Sequence, residues 1–432
     1  MTPGTKFDAI VVGAGPAGST AATLLARAGW AVALVEKQSF PRRKVCGECL
    51  AASNLPLLDA LGLARAFDAR AGAELRRVTL MHGDAEVSAE LPAAAHALYP
   101  WGRAIARETL DTLLLEQARA AGADVLQPWS VQAIRGVPGV WHCELRAVET
   151  AATMRLRGQV VIDAHGSWQE LPTGRPQRRL ARAAADLFAF KANYTGAALR
   201  EGVISVLALE GGYGGMVVAD GGVATLACCI RRDRLNELRL ARPGLRAGAA
   251  VEAWLRRECS GVRVALHGAL REGPWLASGP IDPGLRIAAD DEVFRIGNAA
   301  GEAHPILGEG LSMAVQSAVL LCSHLLGEPR LTGAPAAVSH AGLQRRYAAD
   351  FKRHFAPRLR LAATFAHAAM RPRPSAVLMA LVRRWPGLLT QGARWGGKVS
   401  ALQPGAAAAP GAPAAARAIE PGPDGPLASR AP

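Results

Sequence analysis

Residues 8–36 read DAIVVGAGPAGSTAATLLARAGWAVALVE, and this stretch decides the fold. Residues 8–12 are an apolar β-run, and Gly13, Gly15 and Gly18 follow at once in a GxGxxG pattern. A helix-compatible stretch opens behind them, and a second β-run over 31–35 ends in Glu36. Each element has a task in holding a dinucleotide. Gly13 permits the tight turn off the strand. Gly15 and Ala17 keep side chains out of the way, so the backbone can approach a pyrophosphate whose charge sits at the helix N-terminus. Gly18 lets helix and strand pack closely, and the Glu36 carboxylate can accept hydrogen bonds from a ribose diol. With both strands, the helix and the terminal acid in register, the stretch predicts binding of an adenine dinucleotide.

The chain of 432 residues is long enough for two or three domains. Half of it is hydrophobic, yet no uninterrupted apolar run reaches the roughly 18–20 residues of a membrane span. The first β-run starts so early that a signal peptide is not expected. Seven cysteines without a regular framework point to a reducing cytoplasm rather than a disulfide scaffold. The net charge of +14 is mostly arginine in an alanine-rich chain, which reads as a basic surface. Nucleic-acid binding is not expected, because no basic run is interleaved with aromatic residues.

The spacing of apolar runs predicts an α/β fold with a Rossmann-like dinucleotide-binding domain, an inserted antiparallel β-sheet and a C-terminal helical region. The nucleotide domain is expected in three segments. Its opening segment spans 1–75, including a helical stretch over 53–67. A middle segment spans 76–170, with a helix over 110–121, a hairpin over 140–156 and an apolar strand over 159–162. From 171 to 279, β-type runs separated by glycine pairs predict the sheet that shapes the substrate site. The closing segment, 280–330, holds a short strand near 293–297 and a long apolar helix over 311–326. Residues 331–399 read as helical and basic. Packing on the body is the plainer reading there, and attachment to a membrane surface or partner the sharper one. The Ala/Pro/Gly-rich stretch 400–432 is expected to be a disordered tail.

A second constellation narrows the cofactor. Residues 295–316 read RIGNAAGEAHPILGEGLSMAVQ, where an apolar strand feeds Gly297, Asn298 and Gly301, then Pro305, then Gly308, Glu309 and Gly310 at the start of a helix. Small residues in series let backbone N–H groups approach a ligand. Together with GAGPAGST, this GNAAG and PILGEG pairing resembles the FAD-dependent oxidoreductases of the aromatic hydroxylase type, with geranylgeranyl reductases and flavin-dependent halogenases as relatives. The resemblance covers about residues 6–330 and implies that the nucleotide domain is a Rossmann-like FAD-binding domain of the glutathione-reductase type. It implies that Glu36 holds the adenosine ribose, that Asn298 faces the ribityl chain or pyrophosphate, and that the turn from Pro305 to Gly310 borders the isoalloxazine. Asn298 stands where the family usually has Asp. It keeps an acceptor oxygen and adds a donor, so ribityl binding is expected to survive.

Smaller segments extend the resemblance. RAIARETLDTLLLEQARAAGADV matches the family's R-x-x-L/F-D segment, in which Arg107 would reach the FAD phosphate or ring edge and Asp111 would orient the helix. Val131 would lie on the strand whose backbone meets the adenine. VVIDAHGSW, with Asp163 and Gly166, resembles the Asp-Gly segment linked to FAD and NAD(P)H, with Asp163 read equally as a cofactor residue or a strand-end cap. FPRRKVCGECLA resembles the reductase branch and would bring Cys46 and Gly47 to the flavin. Cys46 and Cys49 also have redox-type spacing, but no thioredoxin-like context accompanies them. His304, inside the flavin turn, is a candidate for substrate contact. No metal-ligand spacing or Ser/His/Asp set emerges.

The resemblance implies NAD(P)H-dependent FAD chemistry, with Cys46, His304 and Pro305 nearest the reaction. Hydroxylation of a phenolic or polyketide-like molecule through a C4a-hydroperoxyflavin is placed first. Reduction of an alkene in a prenyl or lipid-like substrate is second, favoured by the CGE segment. A halogenase is set aside, because the branch's W-x-W-x-I-P region reads EGGYGGMVVADGG here. A non-catalytic flavin-binding protein is the remaining reading, and the large insert argues against it.

Overall fold

The structure is a computed structural model that describes residues 5–150, 152–167, 171–173, 183–327 and 335–399. The proposed tail at 400–432 lies outside the described residues. The first sheet runs in the order Asp124–Leu126, Val32–Val35, Thr5–Val12, Thr153–Asp163, Val140–Ala147, Trp129–Val137. The first four strands pair in parallel and the last two join antiparallel. Helix Pro16–Arg27 makes the crossover between Thr5–Val12 and Val32–Val35, as the opening stretch requires. It packs with helices Arg107–Ala120 and Gly310–Leu326 in one core that also holds Ile296 and Phe294. Phe294–Arg295 pairs parallel with the end of Thr153–Asp163, returning the chain to this sheet after the insertion.

The second sheet has the order Leu270–Ile281, Leu187–Thr195, Ala224–Arg231, Gly212–Val218, Val203–Leu209, Arg77–His82, Ala85–Glu90. Its pairings are antiparallel except Val203–Leu209 with Arg77–His82. Two of its strands therefore come from before the 171–279 insert. Side chains alternate between its faces, as period-two geometry demands. Phe190, Ala192 and Tyr194 meet helix Ala247–Glu258 through Trp254 and Leu255. Leu187, Ala189, Tyr213 and Cys229 face the other way, toward Ala366, Met370, Met379 and Val382 of the C-terminal helices. Those helices are Pro335–Ala369, Pro372–Arg384 and Gly387–Trp395.

Three local expectations change. The helix expected over 53–67 is a 3-10 turn and two short helices, Leu55–Ala60 and Ala64–Asp68, interrupted where Gly62 takes a left-handed φ of 75°. The separate runs at 154–156 and 159–162 are one strand, Thr153–Asp163, because Gly158 packs against Ile10 and continues the ladder with Thr5–Val12. Near 293–297 the paired strand is Phe294–Arg295, and a 3-10 turn begins at Gly297.

Candidate functional site

The Gly-rich turn is shaped by contact. Gly13 has φ 102°, and a Cβ on it would fall 2.6 Å from the Ala164 carbonyl oxygen. A Cβ on Gly18 would overlap the Gly13 carbonyl, so this residue serves the strand–helix approach. Gly15 is different: a Cβ there would find only the Arg107 guanidinium, at 3.9 Å. Ser19 N–H closes the first helical bond onto Gly15 O at 3.0 Å, so the N–H groups ahead of it have no intrahelical acceptor and are open to an anion. Glu36 ends its strand beside this turn, where its carboxylate accepts the Ala14 and Gln38 N–H groups, each at 2.9 Å.

Between this turn, the second sheet and the C-terminal helices lies a cavity of about 480 Å³. Its nucleotide end is lined by Gly15, Ala17, Lys44, Arg107, Gly297 and Asn298. Cys46, Gly47, Pro305, Gly308 and Gly310 line its middle. A Cβ on Gly47 or Gly310 would meet nothing within 4 Å, so the backbone there is open to a flat ring. Gly308 closes the Pro305–Leu307 turn in left-handed geometry, φ 63°, and the 17-residue helix Gly310–Leu326 starts directly after it. An FAD molecule fits this set. The open N-terminus of Pro16–Arg27, with Arg107 and Lys44, suits the pyrophosphate, and the bare backbone at 47 and 308–310 suits the isoalloxazine.

Arg107 forks onto Asp111 with two bonds of 2.7 Å, which fixes its guanidinium beside Gly15. Sequence reasoning placed Arg107 but missed its neighbours. Lys44 lines the same wall, and burial, then Arg107 and Arg42, lower its pKa to about 8. Arg42 stands between Glu36 at 3.8 Å and Asp111 at 3.5 Å. The basic RRK triplet in FPRRKVCGECLA was the available signal. Glu48 was missed as well. It lines the cavity and is the one non-glycine with positive φ among the described residues, at 57°. Its carboxylate accepts the Arg107 N–H at 3.0 Å and bonds to buried Lys191 and Thr225 of the second sheet.

Several expected site residues lie elsewhere. Asn298 lines the cavity, but its amide nitrogen donates to Ser167 at 2.8 Å and reaches Glu302 at 3.4 Å, so the donor it adds is used within the protein. Asp163 acts as the strand-end cap: its carboxylate binds the His165 backbone and ring, while Ala164, Gly166 and Ser167 line the cavity instead. Gly301 packs toward Phe351, outside the cavity. Val131 pairs with Leu145, and the backbone beside Glu36 belongs to Leu126 and Trp129.

Glu309 turns away from the cavity and is fully buried. It faces Lys398 at 3.6 Å and Arg358 at 3.8 Å, and burial raises its pKa although both cations oppose the rise. His304 lies behind the wall, its Nδ1 3.1 Å from the Tyr213 hydroxyl and its ring 5.6 Å from His367. Burial and then His367 lower its pKa to about 4, so it is neutral at pH 7. Tyr213, not His304, borders the cavity. Cys46 and Cys49 are free thiols. The Cys46 sulfur accepts the Glu48 N–H at 3.3 Å, and burial pushes Cys49 up to about 12, which makes it a poor nucleophile.

Comparison with known proteins agrees with this geometry. Residues 6–179 match the FAD binding domain family. That match places an FAD binding domain in the first part of this chain. It is 26% identical over 334 residues to a tryptophan 2-halogenase of Chondromyces crocatus, an alignment that covers 72% of this chain and 59% of the relative. It is 35% identical over 122 residues to a menaquinone reductase of Mycolicibacterium smegmatis, covering 28% and 29%. The chain therefore spans less than two thirds of the length of these relatives. Among solved structures, a geranylgeranyl bacteriochlorophyll reductase-like protein of Thermoplasma acidophilum superposes with a TM-score of 0.70 at 17% identity, over 91% of this chain and 100% of the other. The myxobacterial chondrochloren halogenase gives 0.69 at 19% identity, over 94% and 99%. These two likenesses establish the shared fold. The halogenase relatives also return to consideration a reaction class that the missing tryptophans had set aside.

No helix among the described residues is long and apolar enough to cross a membrane.

Proposed function

We propose that this flavoprotein is a monooxygenase of an apolar phenolic or polyketide-like molecule, with NAD(P)H as the electron donor. One observation carries the reading. On the side of the second sheet and the C-terminal helices, the cavity is walled by residues such as Leu80, Ile204, Met216, Cys229, Leu378 and Val382, and among the described residues the charge on that side is Lys398, which follows the last helix and faces Glu309. Bound FAD would relay two electrons from NAD(P)H to O2, one atom of which would enter the substrate while the other leaves as water. The chain's own residues do the rest. The Gly15 turn, Arg107 and Lys44 would hold the diphosphate, and Gly47 and Gly308 to Gly310 would seat the ring. The aliphatic wall would exclude water that otherwise wastes the activated oxygen. Tyr213, kept neutral by burial and held by His304, is the polar mark on that wall for a substrate hydroxyl.

Alkene reduction in a lipid-like substrate is favoured by the likeness to menaquinone reductases and by Cys46 at the cavity wall. Halogenation is favoured by the longer alignment with the tryptophan 2-halogenase. One experiment separates the three. The FAD-loaded protein is given reductant and candidate substrates under 18O2, under argon, and with added bromide. Product carrying 18O supports oxygenation. Saturated product under argon, or brominated product in air, replaces it with the corresponding alternative.

A further inference from the structure

We propose that the outer face of helices Pro372–Arg384 and Gly387–Trp395 docks onto an anionic lipid surface, with the cavity mouth opening into it. Apolar side chains that would ordinarily be covered are exposed here. Val377 and Leu381, one turn apart on the first helix, are 59% and 42% exposed, and Trp385 just past its end is 54% exposed. The second helix adds Leu388 and Trp395, 44% and 66% exposed.

Charge identifies the occupant. Between 371 and 394 the chain carries Arg371, Arg373, Arg383, Arg384 and Arg394, and no Asp or Glu. Arg384 lies over the Trp385 ring at 5.5 Å. An uncharged protein surface would not select so one-sided a rim, whereas a bilayer with anionic headgroups attracts each basic residue and accepts indole rings at its interface. The face is also continuous with the cavity. Leu388 and Trp395 are both exposed and cavity-lining, while Leu378, Val382 and Leu389 of the same helices form its inner wall. An apolar molecule dissolved in the bilayer would reach the cavity along these side chains without crossing water.

Only the nature of the entering molecule rests on the proposed function. Docking is measured without substrate or turnover, so failure of one is distinguishable from failure of the other. The full-length, FAD-loaded protein is sedimented with vesicles of phosphatidylcholine alone and with about a third phosphatidylglycerol. Binding to the anionic vesicles is expected to be about tenfold tighter or more, and to weaken as salt is raised. L381E/W385E, at positions outside the cavity wall, should abolish binding, and R383Q/R384Q should narrow the difference between the two vesicle types. Both variants should keep the parent's flavin absorbance and melting temperature. Sedimentation velocity provides the counter-test: a dimer that L381E/W385E converts to monomer would assign the face to a second copy of the chain. That result would overturn the proposal, as would parent protein left in the supernatant or equal binding to both vesicle types.

Discussion

Lys191 donates a hydrogen bond to Glu48, and both side chains are about 1% exposed. This pair joins the nucleotide-domain side to the second sheet, since the same carboxylate accepts the Arg107 N–H at the head of helix Arg107–Ala120. A buried charge left alone costs far more than the pair contributes. Glu48→Ala is therefore expected to lower the unfolding free energy by about 3–5 kcal/mol. The double variant with Lys191→Met should recover much of that loss. Urea denaturation of both, read as a double-mutant cycle, checks the coupling.

Gly15 and Gly18 should separate binding from folding. Gly18→Ala drives a methyl group into the Gly13 carbonyl and within 3.1 Å of the Ala164 Cβ, so poor folding is expected. Gly15→Ala meets only Arg107 at 3.9 Å, so the melting temperature of the cofactor-free protein should be preserved. Its methyl group would occupy the space of the diphosphate, and flavin content should fall by about tenfold or more, taking a loss of roughly 1.4 kcal/mol or greater. Calorimetry and flavin absorbance on the same samples test this.

Lys44 gives the site a pH dependence. Its amine, with a pKa lowered from 10.5 to about 8, is protonated below that value and would then attract the diphosphate. FAD affinity is expected to decline as pH rises through about 8, and Lys44→Met should bind more weakly below pH 8 with that step removed. Stability of the cofactor-free protein moves in the opposite direction. Between pH 8 and 10.5 the unfolded chain holds a proton that the folded one has lost, so this group's contribution to stability rises with pH. Titration calorimetry and denaturation across pH 7–10 measure both signs.

Lys398 ties the C-terminal helices to the flavin turn. Its ammonium reaches Glu309 at 3.6 Å and the Gly308 carbonyl at 3.5 Å, and its own carbonyl accepts the Ser53 N–H at 3.3 Å. Lys398→Met should leave Glu309 with Arg358 as its nearer cation and cost about 1–3 kcal/mol. Loss measured by thermal unfolding, with protection of 387–395 amides from hydrogen exchange reduced, is the expected outcome.

The features legible in the sequence are those in which neighbours along the chain do the work. Gly13, Gly15, Gly18 and Glu36 belong to one βαβ unit whose spacing is legible by itself, and Pro305 to Gly310 form one turn that the family resemblance points to. The features that stayed hidden are assembled across distance. Glu48 meets Lys191 and Thr225 from another sheet, and Tyr213 holds His304 from a strand inserted before it. Arg77–His82 is expected within the nucleotide domain's middle segment, but its parallel partner, Val203–Leu209, belongs to the second sheet. Glu309 reads by motif as a cofactor residue, and Asp163 equally as a cofactor residue or a strand-end cap. Both sit at the expected position in the chain; the first faces two cations in the core and the second caps a strand end.

Everything proposed for the chemistry depends on FAD occupying the cleft between Gly15 and Gly310. The direct measurement is the flavin content of the purified full-length protein before and after incubation with FAD, by absorbance and by chromatography of the released cofactor. About one FAD per chain, retained through gel filtration and lost in Gly15→Ala, is the predicted result. A colourless protein that takes up no FAD, or one that binds NAD in its place, would contradict it.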